Sequence, residues 1–286
     1  MAFEPAEVLV GALAALFGIW LIWFWSVGRK RARHDREWTS DCAKLAQVTW
    51  QDDDSFTLHN RRDFIWRTVK DHDERWDDWQ AKVSDCSGIW FVLDHFHKIR
   101  GMAHTLLIFE FGEQFLTVSF EARREKGESY HPWTGLWREF EMQMVLGTER
   151  DLIGLRTHVR GNDVYLYECE VLPHKRRALL RGVLARANEI HAAPEWYNTL
   201  TKTCATSLVQ LVNRVTPGRI PITWRSLVPG YAHRTVHQRG ILVDRGGLAA
   251  TMAAARLTPE RVESVDISGE DPNLFSKEIR AHLTQD

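Results

Sequence analysis

Residues 104–123, HTLLIFEFGEQFLTVSFEAR, decide the fold of this chain. Apolar and β-branched residues lie on both sides of Gly112 and Glu113, a pattern that predicts a β-hairpin with a two-residue turn. On that register His104 lies directly across from Glu121, with both side chains on one face and their Cβ atoms about 5 Å apart. Glu121 is therefore expected to orient the His104 imidazole. A three-residue turn would place Glu121 on the opposite side.

Strand patterns dominate the chain around this hairpin, and helical patterns follow later. Strands first and helices afterwards predict an α+β fold. Partial alternation and aromatic enrichment predict strands over residues 56–66, 88–96, 102–111, 115–123, 136–146 and 164–171. Apolar residues at helical spacing predict helices over residues 173–190, 204–215, 248–256 and 274–283.

Cys204 stands at the start of one of these predicted helices, which either Thr201 or Thr203 can cap. A thiol in the first helical turn feels the positive end of the helix dipole, which favours the nucleophilic thiolate. Together with an imidazole, this thiol would form a Cys–His pair whose histidine is held by a third polar group. A lone cysteine is more often a small core residue, and a strand histidine is more often structural. The combination nevertheless favours Cys204, His104 and Glu121 as a catalytic set.

The segment Val8–Gly28 carries no charged side chain and predicts a transmembrane helix, because 20 helical residues rise about 30 Å. A cleaved signal peptide would need a basic start, a shorter apolar core and small residues at the cleavage site. The acidic Glu4 and Glu7 and the tryptophans of the segment oppose that interpretation. A buried helix of a soluble protein is the remaining alternative.

The formal net charge of -1 and mean hydropathy of -0.33 average several different regions. The composition excludes collagen-like, coiled-coil and wholly disordered proteins. With Cys204 free, the other three cysteines allow at most one disulfide. The predicted organisation is an N-terminal flank (1–7), a transmembrane helix (8–28), a basic and polar linker (29–50), a catalytic domain (51–235) and a helical C-terminal extension (236–286).

Metal-dependent hydrolysis is a weak alternative. Asp94-His-Phe-His97 offers possible ligands, but no paired CxxC and no HExxH motif occurs. We therefore expect no metal, no cofactor and no nucleic-acid partner, while the oligomeric state stays open.

Six motifs of the chain resemble, in the same order, motifs of a known protein family. They are Asn60-Arg-Arg-Asp-Phe, Ala103-His-Thr-Leu-Leu-Ile-Phe-Glu-Phe, Val118-Ser-Phe-Glu-Ala-Arg-Arg-Glu, Thr148-Glu-Arg-Asp-Leu-Ile, Val164-Tyr-Leu-Tyr and Pro194-Glu-Trp-Tyr-Asn-Thr-Leu-Thr-Lys-Thr-Cys. In this order they resemble the N-terminal periplasmic domain family of the bacterial lipoprotein N-acyltransferase Lnb, from about residue 35 to about residue 232.

The resemblance implies a papain-like thiol fold of the circularly permuted NlpC type. Cys204 matches the family's cysteine, His104 matches its histidine, and Glu121 falls in its Ser-x-Glu-x-Arg strand. Thr203 departs from the family, which usually has Asn before the cysteine. The implied reaction moves an acyl chain from a membrane phospholipid to Cys204 as a thioester, and then to the N-terminal amine of a lipoprotein. A cysteine peptidase or amidase acting on cell-envelope peptides, or a catalytically inactive binding module, remains open.

The charge pattern and the family resemblance disagree about the side of the membrane on which the domain lies. The basic residues Arg29, Lys30, Arg31, Arg33 and Arg36 follow the segment and none precedes it, so the positive-inside bias places the domain in the cytoplasm. The resemblance implies a periplasmic domain. We follow the resemblance and expect a single-pass inner-membrane protein whose catalytic domain is periplasmic.

Overall fold

The computed structural model describes residues 5–221, 223–224 and 228–281. In these ranges the chain forms an α+β fold, with helices packed on both faces of one large sheet. The strands are β1 (Gln47–Trp50), β2 (Ser55–Arg62), β3 (Ile65–Trp66), β4 (His72–Asp73), β5 (Trp76–Lys82), β6 (Gly88–His95), β7 (His104–Phe111), β8 (Gln114–Arg123), β9 (Glu141–Gly147), β10 (Asp163–Glu168) and β11 (Arg256–Leu257). The helices are α1 (Pro5–Trp23), α2 (Glu149–Gly154), α3 (Pro173–Ala192), α4 (Cys204–Val215), α5 (Ala232–Gln238), α6 (Leu248–Ala255), α7 (Pro259–Val262) and α8 (Pro272–Glu278).

The large sheet has the strand order β1-β2-β9-β8-β7-β6-β10-β11. Strand β5 also pairs with β2 and lies outside this order. Strands β6 to β9 form an antiparallel meander. Phe111 pairs with Gln114 across a two-residue turn, and Gly112 there has the left-handed φ of 66° that glycine adopts at little cost. The predicted hairpin register is therefore confirmed.

Alternation along β7 divides the core into two layers. Leu107 and Phe109 face the side covered by α3 and α4, which we call the first face. Leu106 and Ile108 point to the opposite side, the second face, where α2 and the C-terminal helices pack. Each helix stripe predicted from apolar spacing is buried against one of these faces.

Two of the resembling motifs meet in a buried ion-pair cluster under the second face. Arg62, at the end of β2, donates from Nε and Nη2 to the Asp151 carboxylate at 2.7 and 3.0 Å. Asp151 also accepts the Phe64 N–H and the Trp66 indole N–H. Because every charge in this cluster is satisfied, the motifs act structurally and hold α2 against the sheet.

Helix α2 continues as a π-helical turn, Leu155–Val159, and neither was predicted from the sequence. Strands β1 and β5 were also missed. Strand β1 falls inside the segment predicted as a linker. The few residues of β1 and the mostly exposed side chains of β5 give weak periodic patterns.

The C-terminal residues pack into the domain. Strand β11 pairs with β10, and Phe275 is buried in the core of the second face. Arg280 forms a buried ion pair with Glu149 at the start of α2. Of the predicted helix over 274–283, residues 274–278 lie in α8, and residues 282–286 lie outside the described ranges.

The apolar segment Val8–Gly28 is helical and projects from the domain. It comprises α1 and a π-helical turn, Phe24–Gly28, and none of its window is buried. In the described part of the chain, this is the one helix long and apolar enough to cross a membrane.

Candidate active site

His104 and Glu121 lie in one hydrogen-bonded chain at the start of β7. The His104 Nε2 atom is 2.7 Å from the Ser119 Oγ atom, and Ser119 donates to Glu121 Oε1 at 2.8 Å. His104 Nε2 is 3.9 Å from Glu121 Oε1. The structure thus brings the two predicted residues together, with a serine hydroxyl between them.

This geometry fixes the tautomer of His104. The Ser119 hydroxyl has one proton, and it is donated to the Glu121 carboxylate. The Nε2 atom of His104 must therefore carry a hydrogen and donate to Ser119. The Nδ1 atom is left as the proton acceptor of the ring, which is the state that a general base requires.

Arg156 holds the carboxylate end of this chain. Its Nη2 atom donates to Glu121 Oε1 at 3.0 Å, and its Nε atom lies 3.0 Å from Asp94 Oδ2. Asn162 donates to the other oxygen of Asp94 at 2.8 Å. One buried guanidinium thus bridges two carboxylates, and Asp94 is committed to a protein ion pair.

The electrostatics of this network keep the imidazole neutral. Burial lowers the pKa of His104 to about 3, and the positive charge of Arg156 acts in the same direction, while Glu121 opposes them. Burial alone would raise the pKa of Glu121, but Arg156 and then His104 hold it well below its usual range. At neutral pH the arrangement is a neutral imidazole beside an ionised carboxylate.

Ser119 and Arg156 were missed as site residues by sequence reasoning. Ser119 lies two positions before Glu121 in a strand, and strand alternation places such residues on the same face. This signal was sufficient to find Ser119. Arg156 carried no comparable signal in the sequence. Its role arises because the turn after α2 packs against β6 and β8, where its partners Asp94 and Glu121 lie.

Cys204 is the first residue of α4, as predicted. Thr203 caps the helix: its hydroxyl accepts the Thr206 N–H, and the Thr206 hydroxyl accepts the Thr203 N–H at 2.7 Å. This reciprocal capping box fixes the direction of the first turn. Threonine therefore performs the capping at the position where the family usually has asparagine.

Cys204 is 4% exposed, and this burial raises the pKa of its thiol. Hydrogen bonds from the backbone and side chain of Thr105 lower the pKa but do not outweigh burial. The predicted thiolate is thus not the resting form, because loss of hydration outweighs the hydrogen bonds from Thr105 and Ala205.

Cys204 and His104 approach β7 from opposite faces. Cys204 packs in the core of the first face, whereas His104 shares its face with Leu106 and Ile108. Thr105, the residue after His104, lies between them along the strand. For the described residues, no hydrogen bond or ion pair joins the thiol to the imidazole.

An apolar cavity of about 220 Å³ runs along the helix that begins at Cys204. Its wall includes one stripe of α4, from Ala205 through Leu208 and Val212 to Val215. At 1.5 Å per residue, this stripe is about 15 Å long. The cavity begins beside the neighbours of Cys204 and ends near polar side chains, including Lys175 and Arg219.

The structure places the other residues considered from the sequence outside this site. His95 and His97 join no cluster of three or more potential metal ligands within the described ranges. Arg123, the arginine of the Ser-x-Glu-x-Arg strand, is buried and donates to the carbonyl oxygens of Cys42 and Ala43. All four cysteines are free.

Together, these features define a class: an α+β domain behind a candidate membrane span, with a cysteine at a helix start beside a histidine–carboxylate network. The family model described as the Lnb N-terminal periplasmic domain matches residues 72–230. This match covers more than half of the chain, which therefore belongs to that family. No curated protein and no solved structure matches the chain.

Proposed function

We propose that this protein is a membrane-anchored thiol acyltransferase, which moves an acyl chain from a phospholipid to the N-terminal amine of a lipoprotein through a thioester on Cys204. The family membership supports this class of reaction. The candidate membrane span supports a lipid donor, because it keeps the domain beside the bilayer. The remaining support comes from the cavity along α4.

The apolar cavity is the observation that carries the proposal. A phospholipid acyl chain occupies half of a hydrocarbon core of about 30 Å, so it extends about 15 Å. The stripe of α4 that borders the cavity is about 15 Å long by helix geometry and begins at Ala205, next to the proposed nucleophile. A peptide substrate would instead need backbone hydrogen-bond partners along its binding site. The cavity therefore favours an acyl chain over the peptidase alternative.

His104 is the proposed general base. It takes the proton of the Cys204 thiol, and the sulfur attacks the ester carbonyl of the donor. The lysophospholipid oxygen leaves with a proton from His104, and a thioester remains. The lipoprotein amine then attacks the thioester, giving an amide and restoring the thiol.

The roles of the other residues follow from this sequence of steps. Glu121 and Ser119 hold the imidazole in the tautomer whose Nδ1 accepts a proton. The N–H of Cys204 at the start of α4 is suited to stabilise the oxyanion. We assign the described arrangement to the resting enzyme, with a protonated thiol and His104 held on the second face. Acyl transfer by this route requires His104 and Cys204 to come together across the strand at Thr105, and it requires the pKa of His104 to rise from its buried value of about 3.

The decisive experiment uses the full-length protein in nanodiscs of phosphatidylethanolamine and phosphatidylglycerol. Intact-mass measurement should detect an acyl adduct that hydroxylamine removes, as expected of a thioester. The adduct should be absent from the Cys204→Ala variant and present in Cys169→Ala, because Cys169 is a partly buried free cysteine of the cavity wall to which the proposal gives no role. Unchanged acylation of lipoprotein N-terminal peptides by Cys204→Ala, in a host lacking other acyltransferases, would refute the proposal.

The proposal also requires that the domain is periplasmic and that α1 spans the inner membrane. A reporter active only in the periplasm, fused after Asp286, tests this requirement. A cytoplasmic result would remove lipoprotein acylation, since the lipoprotein amine is generated outside the cytoplasm.

A further inference from the structure

The loop between β8 and β9 exposes an unusual amount of aromatic surface. Trp133 is 62% exposed, and Trp137 and Tyr130 are each more than a third exposed. The rings of Trp133 and Trp137 contact each other edge to face, with centroids 5.6 Å apart. Contiguous exposed apolar surface of this kind marks an interaction site.

The end of this loop is fastened to the end of the membrane helix. Arg138 donates to the carbonyl oxygen of Gly28 at 2.8 Å, and its guanidinium lies 5.9 Å from the ring centroid of Trp23. The next residue, Glu139, pairs with Lys30 at 2.9 Å. Gly28 is the last residue of the apolar span. The loop is therefore attached at the depth where the chain leaves the hydrocarbon.

Arg138 also has an unusual backbone conformation at this attachment. Its φ is 54°, in the left-handed region that residues other than glycine rarely adopt. The contacts to Gly28 and Trp23 hold the residue in this conformation. The direction in which the loop leaves the helix end is thereby fixed.

The inner side of the same loop packs against the segment that leads into Cys204. Thr199 donates its N–H to the Gly135 carbonyl at 3.2 Å, and a Cβ at Gly135 would collide with the Thr199 hydroxyl. The hydroxyl groups of Tyr130 and Tyr197 are 3.4 Å apart. The loop thus connects the end of the membrane span to the approach of the candidate nucleophile.

We propose that residues 130–139 form an interfacial membrane-binding loop, with Trp133 and Trp137 seated among the phospholipid headgroups of the leaflet at the Gly28 end of α1. Indole rings favour this region because they are apolar with one polar N–H. The basic residues Arg29 and Arg31 follow Gly28 within three positions of the chain, and their charges suit lipid phosphates. The occupant is the bilayer in which α1 is embedded, because the surface is continuous with that helix.

This inference goes beyond the proposed function, because it assigns a lipid contact to a surface with no role in the chemistry. It also predicts which leaflet supplies the donor. A phospholipid in contact with Trp133 lies beside the segment 197–203, close to the start of α4. An inactive binding module would still use the same loop, so the two proposals fail independently.

The test is photocrosslinking in the full-length Cys204→Ala protein, which keeps catalytic acylation out of the result. Nanodiscs of phosphatidylethanolamine and phosphatidylglycerol carry a small fraction of phosphatidylethanolamine with a diazirine near the glycerol end of its acyl chain. After irradiation, mass spectrometry maps the labelled peptides. We expect label on residues 130–139 as well as on Val8–Gly28, because the diazirine samples the headgroup boundary.

Leu274 provides the matched internal control. It is 51% exposed and lies in α8, whose Lys277 pairs with Glu113 at the opposite end of the sheet. Its peptide should carry severalfold less label than residues 130–139. Equal labelling of both peptides, or label confined to Val8–Gly28, would overturn the proposal.

A double variant separates membrane contact from simple proximity. Trp133→Ser with Trp137→Ser should lower the labelling of residues 130–139 severalfold, without changing the labelling of Val8–Gly28. Trp133 is 62% exposed and Trp137 is 36% exposed, and an unchanged thermal unfolding midpoint would show that the fold is retained. Undiminished labelling in this variant would contradict seating of the indoles in the headgroups.

Discussion

Replacement of Val212 by tryptophan should shorten the acyl chain that the protein accepts. Val212 borders the cavity seven residues after Ala205, where the cavity begins, so an indole there blocks the cavity about 11 Å along its length of about 15 Å. About 4 Å of the cavity is lost, which is room for roughly three methylene groups worth about 0.8 kcal/mol each. The preference for a full-length donor over a donor shorter by three methylenes should fall by about 2.4 kcal/mol, or roughly 60-fold in kcat/KM.

The assay is acyl transfer from phosphatidylethanolamines that differ only in chain length, with kcat/KM measured for each donor. Gln210→Trp is the matched control, because Gln210 is exposed on the same helix and does not border the cavity. It should leave the dependence on chain length unchanged. An equal loss for all donors in Val212→Trp, or no loss for the longest, would refute the assignment of the cavity to the acyl chain.

Other consequences concern the network and the core. Asp151→Ala should lower the free energy of unfolding by about 3–5 kcal/mol, measured by urea denaturation, whereas Asp77→Ala at an exposed pair should cost about 1 kcal/mol or less. Ser119→Ala should reduce kcat with little change in KM, because the His104 tautomer loses its fixing contact; an unchanged kcat would contradict that role. Iodoacetamide should alkylate Cys204 faster as the pH rises beyond 9.0, since burial raises the thiol pKa, and a rate already at its plateau at pH 7 would exclude a protonated resting thiol. The free energy of unfolding should fall as the pH drops from 6.5 towards 3, because unfolded His104 takes up a proton that the folded residue, with its pKa lowered to about 3, does not; His104→Gln should weaken this dependence.

The basic residues after the apolar segment, whose positive-inside bias disagrees with a periplasmic domain, form ion pairs with the folded domain. Lys30 pairs with Glu139, and Arg36 pairs with the buried carboxylate of Glu141 and with Glu125. Part of the basic segment therefore belongs to the folded domain and is not a free juxtamembrane cluster. Its sequence alone could not reveal this, because the partners lie more than 80 residues away.

Short-range patterns were sufficient for the elements that carry the candidate site. The two-residue turn at Gly112 sets the register of β7 and β8, so His104 and Glu121 could be placed on one face from sequence. Apolar spacing and Thr203 located the start of α4 at Cys204. The apolar span could also be recognised from the sequence, because crossing a bilayer requires an uninterrupted apolar stretch of about 20 residues.

Tertiary structure decided how these elements meet. Helix α4 packs on the first face while His104 points to the second, so the thiol and imidazole are separated by the strand at Thr105. The raised pKa of Cys204 also depends on burial, which opposes the thiolate that the position at a helix start favours. Arg156 enters the network through the packing of α2 against the sheet. The register of a hairpin and the spacing of a helix depend on residues close together in the chain, so they can be predicted from the sequence. Burial, long-range ion pairs and the cavity arise only when distant segments exclude water together, and these decided the chemical state of the site.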